Sequence, residues 1–100
     1  MMEYIRPFQV NQESTQTLAV TASTQAITLP ARNGNASVRI VVVGTQNVFW
    51  RLDGSATVAT STPMLANTVE TFFLSRDATT INFIAAATGS TVYVTIGESA

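Results

Sequence analysis

Few side chains in this 100-residue chain have the types needed for chemistry. There are five arginines (Arg6, Arg32, Arg39, Arg51 and Arg76) and six carboxylates (Glu3, Glu13, Asp53, Glu70, Asp77 and Glu98). Histidine, cysteine and lysine are absent. Those three gaps remove the usual zinc ligand sets, the Ser-His-Asp arrangement, an imidazole base near neutral pH, cysteine nucleophiles, disulfides, and both the P-loop and the Schiff-base lysine. What is left is carboxylate chemistry. A glycosidase pair needs two acids about 5–10 Å apart in a cleft, and here the acids are spread singly between the arginines. Asp53 belongs to an Asp53-Gly54 turn, where its side chain is expected to bond local backbone. Neither Asp53 nor Asp77 has the neighbouring acids of a calcium loop. Glu70 sits among apolar neighbours and must find a partner or stay hydrated, so an ion pair with Arg39 or Arg51, across strands or between subunits, is the preferred reading over a catalytic carboxylate. The expectation is a chain that is not an enzyme, with no catalytic residue, no cofactor and no metal.

Nucleic acid is not an expected partner either, because five scattered arginines in a chain of net charge −1 form no basic stripe. The first residues, Met1-Met2-Glu3-Tyr4-Ile5-Arg6-Pro7, show no basic segment followed by an apolar run, and nothing approaches the ~20 apolar residues of a membrane span. A soluble protein made in a cytoplasm, with no membrane partner, is expected.

The elements that position these residues are strands. Threonine (16), valine (11) and isoleucine (6) make up a third of the chain, and branched side chains suit a pleated surface. No window carries a sustained helical apolar stripe. Turn signals at Asn33-Gly34-Asn35, Gly44–Asn47, Asp53-Gly54-Ser55, Thr62-Pro63, Arg76-Asp77-Ala78 and Thr88-Gly89-Ser90 bound the strand-length runs. Those runs are Thr17–Ala22, Gln25–Leu29, Ser37–Val43, Val48–Asp53, Ala56–Thr60, Val69–Ser75, Thr80–Ala86 and Thr91–Ile96, and Pro7 makes an extended piece near Tyr4–Val10 an edge. The fold class is all-β, a single antiparallel β-sandwich (jelly-roll or Ig-like) of about eight short strands. Residues 1–24 read as an N-terminal arm or edge strand, and 25–100 as the β-sandwich domain.

Alternation assigns faces. Val92, Val94 and Ile96 oppose Thr91, Tyr93 and Thr95, as in a half-buried strand. Val48, Trp50 and Leu52 oppose Phe49 and Arg51, making Trp50 a core anchor and the Phe49/Arg51 face an interface candidate. Ser37–Val43 and Val69–Ser75 are apolar on both faces, with Val41 and Val43 opposite Ile40, and Phe72 and Leu74 opposite Phe73. A second apolar face implies a partner subunit, a packed N-terminal arm or a central strand, unless these are ordinary surface apolar residues. Charged residues are 11% of the chain where a soluble monomer commonly carries about 25%. That surface suits a protein covered by neighbours in an assembly, although a threonine-rich adhesion module fits it almost as well.

From about Ala36 onward the chain resembles the small β-sandwich virion proteins of tailed bacteriophages. The resemblance is carried by Ser37-Val38-Arg39-Ile40-Val41-Val42, by Asn47-Val48-Phe49-Trp50-Arg51-Leu52-Asp53-Gly54, and by Thr60-Ser61-Thr62-Pro63-Met64-Leu65. It continues through Val69-Glu70-Thr71-Phe72 and Thr91–Glu98. It implies a virion structural protein, either a capsid decoration or cement protein or a related head or tail accessory protein, often a homotrimer. Its partners would be the major capsid protein or other virion proteins, and its localisation the virion. The candidate interface residues are Arg39, Val41, Val43, Phe49, Arg51, Glu70 and Phe72. The alternative is a β-sandwich adhesion or carbohydrate-binding module, such as a tail- or fibre-associated domain. Such a module should expose an aromatic platform beside polar amides, whereas most of the eight aromatics here lie within expected strands.

Overall fold

The computed structural model describes residues 9–10, 15–29 and 36–98. Nine strands form among them: β1 (Gln9–Val10), β2 (Gln16–Val20), β3 (Gln25–Thr28), β4 (Ala36–Gly44), β5 (Val48–Leu52), β6 (Thr62–Met64), β7 (Val69–Leu74), β8 (Thr80–Ala85) and β9 (Ser90–Glu98). All pairings are antiparallel. They are nested, with β2 on β9, β3 on β8, β4 on β7 and β5 on β6, and the nest is rolled shut by β4 on β9 and β5 on β8. This order is the eight-stranded jelly roll, which decides between the two sandwich types expected from the sequence. One sheet runs β2-β9-β4-β7 and the other β3-β8-β5-β6. β1 extends the edge held by β2, pairing Val10 with Gly97 further along β9. The 1–24 segment thus contributes β1 and β2 to a sheet edge; its residues 1–8 and 11–14 lie outside the described ones.

The core lies between the sheets. Val38, Ile40 and Val42 of β4 and Val92, Val94 and Ile96 of β9 line one inner face, opposite Val48, Ile81, Phe83 and Ala85, and all ten are buried. Each large side chain here contributes about 1.5–3 kcal/mol relative to exposure, which offsets the entropy of fixing a sheet.

Two expected elements differ. Ala56–Thr60 is a turn instead of a strand, and the strand falls at Thr62–Met64, where Thr62-Pro63 was read as a turn. The reason is local hydroxyl bonding. Ser61 Oγ accepts from the Thr57 amide (2.9 Å), Thr57 Oγ1 from the Thr60 amide (3.2 Å), and the Ser61 amide donates to the Thr57 carbonyl (3.1 Å). Ser and Thr side chains satisfy the backbone there in place of a ladder. Pro63 is tolerated because, among the described residues, β6 has a neighbour only on its β5 side.

Side-chain clasps fix the loops that join the sheets. Asn67, in a left-handed conformation (φ 60°), accepts from the Gly44 amide (3.1 Å) and donates to the Gly44 carbonyl (3.0 Å). It pairs with Gly44 as a strand residue would. A side chain at Gly44 (φ 144°) would overlap the Gly89 carbonyl oxygen and come within 2.6 Å of the Ser90 Cα. Gly44→Ala is therefore expected to destabilise the domain by about 2–4 kcal/mol, through backbone strain plus displacement of the β8–β9 turn. Thermal unfolding checks this; a melting temperature equal to the parent's would show that the turn yields without cost.

Candidate functional site

The surface that stands out is the outer face of the β2-β9-β4-β7 sheet. Antiparallel register puts directly paired residues on the same face. It therefore builds rows across the sheet: Val69, Val41, Tyr93 and Thr17 in one, and Thr71, Arg39 and Thr95 in the next. Phe73 beside Ser37, and Val43 beside Thr91, flank these rows. Large apolar side chains are plainly exposed here, at 69% for Phe73, 49% for Val43, 48% for Val69 and 40% for Tyr93. Val43, Val41, Tyr93 and Val69 lie in adjoining rows, and Phe73 stands beyond the Thr71–Arg39–Thr95 row on the same face, a denser apolar set than the single scattered residues that soluble surfaces normally carry. Arg39 is the charge among them. The polar members are hydroxyls, including Thr15 and Thr95, whose Oγ1 atoms lie 2.7 Å apart.

The expected interface residues divide among three surfaces. Arg39, Val41 and Val43 lie together on this face. Phe49 and Arg51 lie on the outer face of the second sheet, Phe49 half-buried beside Ile84 and Pro63, and Arg51 exposed beside Asn82. Phe72, half-buried, pairs with inward-facing Val38, packs against the core, and meets the Trp50 ring at 4.7 Å and 54°. On the same strand it is Val69, Thr71 and Phe73 that face outward. Glu70 pairs with Ile40 while Arg39 pairs with Thr71, so the two charges project to opposite sides of one sheet. Among the described residues, Arg39, Arg51 and Glu70 make no ion pair, so the cross-strand pair expected for Glu70 does not form within the chain. Tyr93, Val69 and Phe73 were missed as site residues. The signal that would have found them is register: each pairs with a residue of β4 whose outward direction alternation already gave.

Trp50 points inward, as the sequence indicated, and closes the open side of the sandwich with Phe72. Its Nε1 is buried and has no hydrogen-bond partner among the described residues. Next to it is a cleft of about 480 Å3 lined by Trp50, Arg51, Leu52, Thr60, Ser61 and Thr62, at the end of β5 beyond its pairing with β6.

The carboxylates have structural tasks or lie apart. Asp53 Oδ1 accepts from the Thr79 amide (2.9 Å), the Thr79 hydroxyl (2.8 Å) and the Thr80 amide (3.1 Å), fastening the β5–β6 turn to the start of β8. These three partners lie 26 or 27 residues away in sequence. Asp77 lies 3.7 Å from Arg76 in an exposed pair of small energetic weight. Among the described residues, no group of three acids stands close enough to hold a metal ion. In comparisons with known proteins, no family model, curated protein or solved structure matches the chain.

Two substitutions separate folding from surface roles. Trp50→Ala is expected to cost roughly 3–5 kcal/mol, because it empties the space between Phe72 and the core. Phe73→Ser is expected to stay within about 0.5 kcal/mol of the parent, because an exposed ring leaves no cavity. Chemical denaturation of the two variants checks both; equal losses would mean that the Phe73 ring is already covered in the isolated protein.

Proposed function

We propose that this protein is a virion structural protein of the capsid decoration or cement type, one that adds to an assembled shell and stabilises it by non-covalent contacts. The observation that carries the reading is the exposed apolar face of the first sheet. Leaving Phe73, Val69, Val43 and Tyr93 in water is unfavourable by roughly 25 cal/mol for each Å² of apolar area, and a docked protein subunit relieves it. Support also comes from the low charge of the chain, from the resemblance of its strand motifs to small phage virion proteins, and from the jelly roll itself. That fold also serves lectins, so it supports the reading only together with the surface. Bridging several subunits multiplies weak contacts, since each further contact is made at high effective concentration.

A carbohydrate-binding module is the second reading, and the cleft beside Trp50 is the observation that favours it. Hydroxyls from Thr60, Ser61 and Thr62, the Arg51 guanidinium and the indole share one concavity there. Against it, the cleft beside Trp50 is lined by hydroxyls and the Arg51 guanidinium and not by amide side chains, and the exposed aromatics, Phe73 and Tyr93, stand among aliphatic and threonine side chains on the outer sheet face.

Particles with and without the protein, compared under heat and osmotic shock, test the first reading. Those lacking it are expected to lose their contents at lower temperature. Attachment is expected to weaken only mildly between low and moderate salt, because few exposed charges are available to be screened. Particles of equal robustness, or a reconstruction that places the protein on a tail fibre, would replace this reading with the second.

A further inference from the structure

The cleft at the end of β5 gathers hydrogen-bond donors that the chain itself does not use. The β5–β6 ladder stops at the pair of Trp50 with Thr62, so Leu52 has no strand opposite it on that side. Because the Asp53 amide donates to the Thr80 carbonyl on the β8 side, alternation turns the main-chain groups of Leu52 the other way, toward the cleft. Arg51 is the one cation among the lining residues, and it makes no ion pair among the described residues. Its guanidinium rests on Gly54 (φ 139°), where a Cβ would lie 3.0 Å from Nε and 3.1 Å from Cζ, so the bare backbone of the turn gives the planar group its seat. Ser61 Oγ accepts from the Thr57 amide and keeps its own proton to donate, and the Thr62 hydroxyl stands beside it. No carboxylate or amide side chain lines the cleft, and nearby Asp53 turns its Oδ1 to Thr79 and Thr80.

We infer that this cleft binds a carboxylated sugar, with Arg51 on the carboxylate, the hydroxyls of Thr60, Ser61 and Thr62 on those of the ring, and Trp50 and Leu52 against its apolar face. A single planar guanidinium matches a single planar carboxylate in a bidentate pair, whereas a phosphate dianion there would keep an uncompensated charge. A neutral sugar would leave the guanidinium without its acceptor. The volume of about 480 Å3 falls within the range of about 300–1,000 Å3 usual for small-molecule sites. The inference rests on the carbohydrate reading of this cleft and names its ligand class; it uses no part of the first sheet's outer face, so a decorating protein can carry the site as well.

Trp50 is the only tryptophan in the chain, so its fluorescence and its Nε1–H resonance report on this cleft alone. The full chain is titrated with glucuronate, glucose, acetate and inorganic phosphate at fixed ionic strength. Glucuronate is expected to shift both signals saturably in the millimolar range, and the other three to bind at least about ten-fold more weakly. Arg51→Gln is expected to lose about ten-fold in affinity for glucuronate at an unchanged melting temperature, and Arg51→Lys, which keeps the charge without the fork, to lose part of it. Arg39→Gln removes an equal charge from the other sheet and is expected to bind as the parent does. Glucose binding as tightly as glucuronate overturns the inference and leaves the carbohydrate reading standing. Acetate or phosphate binding as tightly overturns both, as does silence of both signals with every probe. An Arg51→Gln variant that binds like the parent overturns the inference alone. A short oligouronate that binds more tightly than glucuronate marks an acidic polysaccharide as the source, equal affinity marks the free sugar acid, and either result supports the site.

Discussion

The pairing of β4 with β9 is the constraint on which the rest of the structure depends. Their register runs unbroken from Ser37 opposite Gly97 to Gly44 opposite Ser90, in the middle of the first sheet. One side of this ladder supplies Val38, Ile40, Val42, Val92, Val94 and Ile96 to the core. The other side supplies Val41, Val43, Arg39 and Tyr93 to the surface. Because side chains alternate strictly, a slip of one residue would exchange the two sets, putting Arg39 in the core and Ile40 in water. The clasp of Asn67 on Gly44 and the close approach of Gly44 to Gly89 hold one end of the ladder in that register.

Around this ladder the chain is polar with little charge. Hydroxyls stand where salt bridges stand in most soluble domains: in the Thr57–Ser61 turn, in the grip of Asp53 on Thr79, and in the Ser90 hydroxyl, which accepts from the Gln46 amide and donates to its carbonyl. Such bonds are short-ranged and indifferent to ionic strength. They order the loops without building a repulsive surface field, and a domain of this kind is suited to close packing against like or unlike neighbours.

The sequence revealed the fold wherever alternation was unbroken. Thr91–Ile96 and Val48–Leu52 face as their patterns indicated, and the two-sided apolar run at Ser37–Val43 does leave one side uncovered. Legibility failed where the pattern was degenerate. Phe72-Phe73 offers two equivalent rings on opposite faces, and only the pairing of Val38 with Phe72 decides which goes inward. The Arg39–Glu70 relation failed for the same reason: a difference of one residue in strand pairing, invisible in one dimension, puts the charges on opposite sides. The three-residue β6 was hidden by its proline, and the Ala56–Thr60 turn was mistaken for a strand because threonine favours both settings. For the candidate site, the two-sided strands pointed to an apolar outer surface, and three-dimensional register was needed to assemble Tyr93, Val69 and Phe73 into it.

Nested pairing also governs how the chain reaches this state. β2 pairs with β9, Gln16 opposite Val94, across nearly the whole described chain, and β9 lies between β2 and β4. Few of the decisive contacts are local, so loop-closure entropy is paid before most of the burial is gained, and topologies of this kind fold in milliseconds to seconds instead of microseconds. In a chain whose β9 is not yet paired, β4 would expose two apolar faces and an open edge at once. Capture of unfinished chains by one another would compete with folding, so the same valines that stand outward on the finished sheet make the unfinished form the stage most exposed to aggregation.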